Sequence, residues 1–412
     1  MRVALASYRS KPHSGGQGVY VRNLSRELVA IGHQVEVFSG PPYPVLDPGV
    51  RMTKVESLDL YREPDPFRRP GLREFRSAVD VLEFATMCTA GYPEPRTFGM
   101  RLHRLLRDRI ADFDILHDNQ TLAPGILALE RAGMPLLTTI HHPISKDRRL
   151  ELEAATGWGR LTKRRWYDFV RMQARVARSS RHVLTVSEVS AHDIAADFRV
   201  PRQRVRVVPV GVDVQRFCPP TVARVPGRLV TITSADVPLK GMSVLIDALA
   251  RLDRCAWSEL VVVGSPSEKT DKRLAEAGIL DRVSFRSGLS DEDLAALIGS
   301  AQVQVIPSLY EGFSIPAVEA MACATPVVAT RVGALPDLLA GGVGRLVAPG
   351  DATALADALT EVLASDQECA RMGAAGRQRA ATTYSWTAVA QATAQIYADV
   401  IADRAAGALS RN

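Results

Sequence analysis

Two carboxylates, Glu311 and Glu319, bracket the run Glu-Gly-Phe-Ser-Ile-Pro-Ala-Val-Glu, in which a Gly-Phe-Ser turn opens a helix. Carboxylates so placed accept hydrogen bonds from hydroxyls on two different sugar rings. The apolar run Val303-Gln-Val-Ile306, closed by Pro307, predicts a buried strand, and Ala317–Ala322 predicts a helix. The turn therefore falls at the carboxyl end of a strand, where open α/β sheets bind ligands. The backbone amides of Phe313, Ser314 and Ile315 are expected to stand unpaired there, with the positive end of the helix dipole behind them. An arbitrary pair of glutamates on a helix is more commonly a solvated face, and it is the residues around this pair that argue otherwise.

Three further groups have chemistry suited to the same ligand. Lys240 follows the predicted strand Leu229–Ile232 in Ala235-Asp-Val-Pro-Leu-Lys-Gly-Met-Ser-Val-Leu-Ile246 and stands at a helix start. An ammonium there neutralises charge developing on a departing diphosphate, although a lone lysine is by default a solvated one. His141 closes a strand in Thr138-Thr-Ile-His-His-Pro143. A neutral imidazole at a strand end orients a sugar hydroxyl or shuttles a proton, while a lone histidine is more often structural. In the loop Ser14-Gly-Gly-Gln-Gly18, Gly15 and Gly16 let the backbone approach a phosphate. The loop is not a dinucleotide fingerprint, because the stretch from Ser7 to Ser14 separates it from the first strand, and this counts against a dehydrogenase. Asp112-Phe-Asp114 and Asp291-Glu-Asp293 read as residues leading into a strand and capping a helix. No metal and no cofactor are expected.

The wider run Pro307-Ser-Leu-Tyr-Glu-Gly-Phe-Ser-Ile-Pro-Ala-Val-Glu-Ala-Met-Ala-Cys-Ala-Thr-Pro-Val-Val-Ala329 resembles, almost residue by residue, the retaining glycosyltransferases of family four. The resemblance implies the α/β fold called GT-B: two Rossmann-like domains facing an interdomain cleft, with a C-terminal helix crossing back to the first domain. It implies that Glu311 meets a hydroxyl of the donor hexose and Glu319 the nucleotide ribose. Phe313, Ser314 and Ile315, with Gly15 and Gly16, would hold the donor. His141 matches the family's hexose-contacting histidine better than His142 does. A front-face substitution is implied, with the leaving phosphate helping to deprotonate the acceptor and Glu311 positioning the hexose without acting as nucleophile. The chain departs from the family at one point. An Arg is usual at or near Ser234, whereas none occurs between Arg228 and Arg251, so half of the usual cationic clamp is missing.

Four other stretches, Ser7-Tyr-Arg-Ser-Lys11, Gly-Gly-Gln-Gly-Val-Tyr-Val21, Asp59-Leu-Tyr-Arg-Glu-Pro-Asp-Pro-Phe67 and His117-Asp-Asn-Gln120, are similar to an actinobacterial subgroup. That subgroup includes mannosyltransferases that extend α-(1→4)-linked mannose chains of methylated mannose polysaccharides. GDP-mannose as donor and a saccharide or lipid-linked saccharide as acceptor are what this implies. Transfer of glucose from UDP-glucose, mannosyl transfer to a phosphoinositide lipid, epimerisation of a nucleotide-sugar and non-catalytic sensing of one remain open alternatives.

At 412 residues the chain exceeds the size at which one core usually divides. The expected organisation is a first Rossmann-like domain over residues 1–210, a proline-rich linker over 211–227, a nucleotide-sugar-binding domain over 228–384 and a returning helix over 385–412. No apolar run approaches the roughly 20 residues needed to span a bilayer, and a cytoplasmic protein is expected. The five cysteines contain no Cys-x-x-Cys pair and read as reduced thiols. A net charge of +6 favours anionic ligands without choosing among them. The basic stretch Arg160–Arg178 reads as a helix packed by its apolar face, with peripheral membrane contact as the alternative. Nucleic acid is not expected as a partner, because no recognisable binding module is present.

Overall fold

A computed structural model describes residues 1–11, 16–233 and 238–409 and divides the chain into two units. The first comprises Met1–Pro209 together with the chain from Val389, and the second Val210–Ala388.

In the first unit, strands β1 (Arg2–Ser7), β2 (Gln34–Ser39), β3 (Arg51–Lys54), β4 (Ile115–Asn119), β5 (Leu136–Thr139), β6 (Val183–Thr185) and β7 (Val205–Val207) form one parallel sheet. Their order is β3-β2-β1-β4-β5-β6-β7. Every residue of β4 and β5 is buried, as a parallel sheet covered by helices on both faces requires. Strand β3 went unread in the sequence because Arg51-Met-Thr-Lys54 lies at the sheet edge, with no buried residue to set a pattern.

The second unit carries β8 (Arg228–Ile232), β9 (Glu259–Val263), β10 (Val283–Arg286), β11 (Val303–Ile306), β12 (Val327–Thr330) and β13 (Gly344–Val347). These are again parallel, in the order β10-β9-β8-β11-β12-β13. In both sheets the order reverses beside the first strand, so the connections after β1 and β4, and after β8 and β11, diverge to opposite faces and leave the strand ends open. Residues 211–227 pack within the second unit. There the Arg224 guanidinium donates to the carbonyls of Gly299, Ala301, Cys323 and Ala324 and to the Thr325 hydroxyl, at 2.7–2.9 Å. The basic stretch divides into two helices, Gly157–Trp166 and Phe169–Ser179.

The final helix, Trp386–Leu409, begins in the second unit and continues in the first. Its anchor in the first unit is Tyr397, whose hydroxyl lies 2.6 Å from His117 Nδ1, while Thr139 Oγ1 lies 2.6 Å from His117 Nε2. All three side chains are buried. Both imidazole nitrogens are thus used by neutral hydroxyls, and burial drives the His117 pKa down to about 3, with nearby His141 adding to the effect. A base held neutral in the fold stabilises it above its unfolded pKa, and the stability is lost as pH falls from about 6.5 toward 3. Tyr397→Phe leaves a buried imidazole nitrogen without its partner and is expected to cost about 1–3 kcal/mol in urea denaturation at pH 7.5. An unchanged midpoint would show that this bond does not anchor the helix.

Candidate active site

The second unit's switch point lies between β8 and β11, and the two loops leaving those strands are stitched together. The Leu309 amide donates to the Leu239 carbonyl at 2.8 Å. Gly241 stands at φ +70°, where a Cβ would lie 1.9 Å from the Pro307 carbonyl oxygen, so no other residue fits without moving the backbone. This approach sets the Lys240 ammonium 2.7 Å from Glu311 Oε1. The Ser308 hydroxyl donates to the same oxygen at 2.8 Å. Glu311 is only 7% exposed, and Lys240 is half-buried. A second glycine completes the seat: at Gly333, φ +55°, a Cβ would come within 1.7 Å of the Glu311 carbonyl oxygen. Thr330 Oγ1 fixes the start of the loop by donating to the Ser308 carbonyl at 2.5 Å.

The helix after this loop is Ile315–Ala322, with Ser314 at its N-cap. Ser314 is fully buried, yet its hydroxyl makes no capping bond and has no partner among the described residues. Pro316 has no N–H to offer, and no backbone carbonyl among the described residues accepts from the amides of Phe313, Ser314 or Ile315. A helix end left in this state is a ready site for an anion or hydroxyl. Glu319 lies one turn further along. Its half-buried carboxyl meets no hydrogen-bond donor among the described residues, and burial, followed by the nearby Asp291 carboxylate, pushes its pKa up to about 7. Phe313 packs edge-to-face on Tyr384 with ring centroids 6.3 Å apart.

In the first unit His141 follows β5, next to the end of β4. Its Nε2 lies 2.8 Å from Asn119 Oδ1. Its amide donates to Gln120 Oε1 at 2.7 Å, and the Gln120 amide in turn donates to the His142 carbonyl at 3.0 Å. The Tyr20 ring stands edge-on at 4.7 Å. Burial, then His142, lowers the His141 pKa to about 3, so the imidazole is neutral. With its Nε2 proton given to the Asn119 oxygen, Nδ1 is left as an acceptor. His142 is exposed. Of the glycine-loop residues, Gly15 lies outside the described residues, as does Ser234. Gly16 precedes the helix Gln17–Ala30, and a Cβ there would meet open space. The glycine that sterics demand is Gly18, where a Cβ would fall 2.0 Å from the Lys11 carbonyl oxygen.

The structure therefore brings Lys240 and Glu311 into contact, places Glu319 behind an open helix end on the same unit, and sets His141 at a strand end of the other unit. Sequence reading passed over Ser308, Thr330, Gly333, Asn119 and Gln120. Ser308 carried a signal, as a polar residue directly after the strand-closing proline; the others act through tertiary approach alone. The two acidic runs are occupied locally. Asp114 pairs with Arg2, Asp112 with Arg109 and Asp291 with Arg216, and Ser290 Oγ accepts from the Asp293 amide as a helix cap. Among the described residues, no group of three or more His, Cys, Asp or Glu could hold a metal ion. No helix among them is long and apolar enough to cross a membrane.

Residues 14–216 match the profile of Glycosyltransferase Family 4, and residues 222–379 that of Glycosyl transferases group 1. The chain is also 54% identical to the MMP alpha-(1->4)-mannosyltransferase of Mycolicibacterium hassiacum, over 98% of this chain and 100% of that one. The chain belongs to glycosyltransferase family 4. Among solved structures, sucrose-phosphate synthase from Thermosynechococcus elongatus superposes on this family 4 glycosyltransferase with a TM-score of 0.70 at 24% identity, covering 98% of this chain and 99% of that one. Anabaena HepE, solved in complex with UDP-glucose, superposes with a TM-score of 0.65 at 16% identity, covering 97% and 100%. These likenesses give the fold as GT-B.

The unpartnered Glu319 yields a prediction of opposite signs. A carboxyl whose folded pKa is raised from 4.5 to about 7 destabilises the fold as an anion, so stability falls as pH rises through that window. Glu319→Gln is expected to raise the melting temperature of this glycosyltransferase at pH 8, with the gain vanishing by pH 4. It should weaken nucleotide binding at pH 8, where the wild-type carboxyl is ionised, and much less at pH 4. Equal melting curves at pH 8 would show the carboxyl to be well solvated, and undiminished nucleotide affinity in calorimetry would remove it from the site.

Proposed function

We propose that the protein is a retaining mannosyltransferase that moves mannose from GDP-mannose to a hydroxyl of a saccharide acceptor, extending an α-(1→4)-linked chain. The observation that carries the reading of the site is the Lys240–Glu311 pair at the switch point. In a nucleotide-sugar the hexose C1 is bonded directly to a diphosphate oxygen. A cation for the phosphate and a carboxylate for the hexose must therefore sit within a few ångströms of one another, as these two do. The open end of the helix Ile315–Ala322 offers amides of Ser314 and Ile315 to the same anion, and Glu319 is free to accept from a ribose hydroxyl. The choice of mannose, of the α-(1→4) linkage and of a saccharide acceptor is supported by the likeness to the Mycolicibacterium enzyme, which spans both chains.

In the proposed reaction the bond from C1 to the β-phosphate oxygen breaks while the acceptor oxygen bonds to C1 on the same face. The acceptor proton passes to the departing phosphate oxygen. Glu311 holds the hexose and faces the positive charge developing at C1. Lys240 exchanges part of its attraction to Glu311 for the negative charge growing on the diphosphate. Neutral His141 accepts a hydrogen bond at Nδ1 from a sugar hydroxyl. Where the family carries an additional Arg near Ser234, Lys240 and the helix amides are proposed to carry the charge.

GDP-mannose is expected to raise the melting temperature more than UDP-glucose does, and proton NMR of the product should show the α-anomer. Lys240→Ala is expected to lower turnover about 100-fold, the scale of one lost preorganised transition-state contact, while transfer survives excess chelator. Glu311→Gln is expected to depress turnover and leave GDP affinity close to wild type. Protection by UDP-glucose alone would overturn the donor, a β-linked product would overturn the stereochemistry, and full activity of Lys240→Ala would overturn the site.

A further inference from the structure

An aromatic cluster in the first unit has no part in the groups described so far. Tyr61 and Phe67 lie in the segment between β3 and β4, Tyr92 lies later in the same segment, and Trp166 ends the helix Gly157–Trp166. The Tyr61 and Phe67 centroids are 5.4 Å apart and edge-to-face, Tyr61 and Trp166 are 5.6 Å apart, and Tyr92 and Trp166 are 5.1 Å apart. Phe67 lies 6.1 Å from Trp166. Tyr61 is buried, Tyr92 and Trp166 are half-buried, and Phe67 is 58% exposed.

Phe67 is the informative member. It stands at φ +65°, a conformation that costs a bulky aromatic residue stability and that glycine adopts freely. The loop holds it there. The Phe67 amide donates to the Leu60 carbonyl at 2.7 Å, and the neighbouring Arg68 guanidinium donates to the Leu58 carbonyl at 2.6 Å and to Glu74 at 2.7 Å. Burial does not explain the ring, since most of it faces solvent. A residue that is strained and exposed contributes little to folding, and this one is set on top of a stack of aromatic neighbours.

The polar surroundings say what would lie on it. Tyr8 and Arg9 directly follow Ser7, the last residue of β1, so the cluster sits at the ligand-binding edge of this sheet. The Tyr92 hydroxyl donates to Glu94 Oε2 at 2.5 Å, and Arg9 approaches the same carboxyl at 3.4 Å. An exposed ring above a half-buried guanidinium and a buried carboxyl suits a neutral hexose chain. Its C–H faces carry partial positive charge and stack on aromatic π-faces, and its hydroxyls both donate and accept. Free phosphate or an acidic polymer is disfavoured here, because Arg9 is already paired with Glu94 and Arg68 with Glu74. We propose that Phe67, backed by Trp166, Tyr61 and Tyr92, is a stacking platform for a neutral saccharide, the chain that accepts the transferred sugar. The identity of that chain as acceptor rests on the proposed transferase activity, whereas its binding does not.

The test is calorimetric titration of the full chain, without donor, with α-(1→4)-mannooligosaccharides, their O-methylated forms and malto-oligosaccharides. At least one of these should bind the wild type. Phe67→Gly is expected to weaken that binding about tenfold, as loss of one aromatic contact does. The same variant should melt at or above the wild-type temperature, because glycine relieves the strained backbone. Phe67→Tyr should bind as wild type, and thermal protection by the nucleotide-sugar should be the same in all three proteins. Absence of saccharide binding by the wild type, or wild-type affinity in Phe67→Gly, would overturn the platform. So would loss of binding to anionic phospholipid vesicles in Phe67→Gly with saccharide affinity unchanged, which would make the patch a membrane contact. Failure of the mannosyltransferase reading would register separately, as absent protection by GDP-mannose with saccharide binding intact.

Discussion

The second unit's site depends on a backbone approach that only two glycines permit. Gly241 lets the loop after β8 touch the carbonyl of Pro307, and Gly333 lets the loop after β12 touch the carbonyl of Glu311. A methyl group at Gly241 would push apart the loops that the Leu309–Leu239 hydrogen bond joins, and one at Gly333 would displace the backbone of Glu311. The ion pair is a result of that approach and contributes little to it. A half-buried lysine and a buried carboxylate gain only modestly from each other once their desolvation is counted. Their value lies in position, since neither has to be gathered from solvent when a ligand arrives.

Three groups, two at the second unit's site and one in the first unit, are left in states that cost the fold something. Ser314 keeps a buried hydroxyl without a partner among the described residues, Glu319 keeps a carboxyl whose proton is held more tightly than in water, and Phe67 keeps a left-handed backbone. Two other groups show the contrast. Arg224 alone fills the needs of four carbonyls, and His117 has a hydroxyl on each nitrogen. Departures of this kind gather where a ligand can supply what is missing.

Much of this was legible in the sequence because it is local. Strands such as Val303–Ile306 are short apolar runs, and the helix after Ser314 is announced by its turn and its proline. Glu311, Glu319 and Lys240 stood out through the residues around them, which carry the family resemblance. The Lys240–Glu311 contact did not, because it spans 71 residues of chain and depends on sheet order. Strand β3 was silent because it is exposed, and β13, Gly-Arg-Leu-Val347, because it opens on a glycine and has one fully buried residue. The break between the helices Gly157–Trp166 and Phe169–Ser179 was hidden because it falls on Tyr167 and Asp168, with no proline or glycine to announce it. Gly18 escaped notice for a different reason: its neighbours Gly15 and Gly16 look equally permissive, and only the packing of Lys11 distinguishes it.

The bond between His117 and Tyr397 joins residues 280 positions apart, and the whole second unit lies between them. A chain made from its N-terminus onward thus exposes the first sheet long before the helix that covers His117 exists. The second unit, contiguous from Val210 to Ala388, has all of its own residues earlier than the first unit has its last. Domains generally fold as units when their segments become available. The order of completion during synthesis is consequently the reverse of the order along the chain: the second unit has all of its residues while the first is still open over β4 and β5.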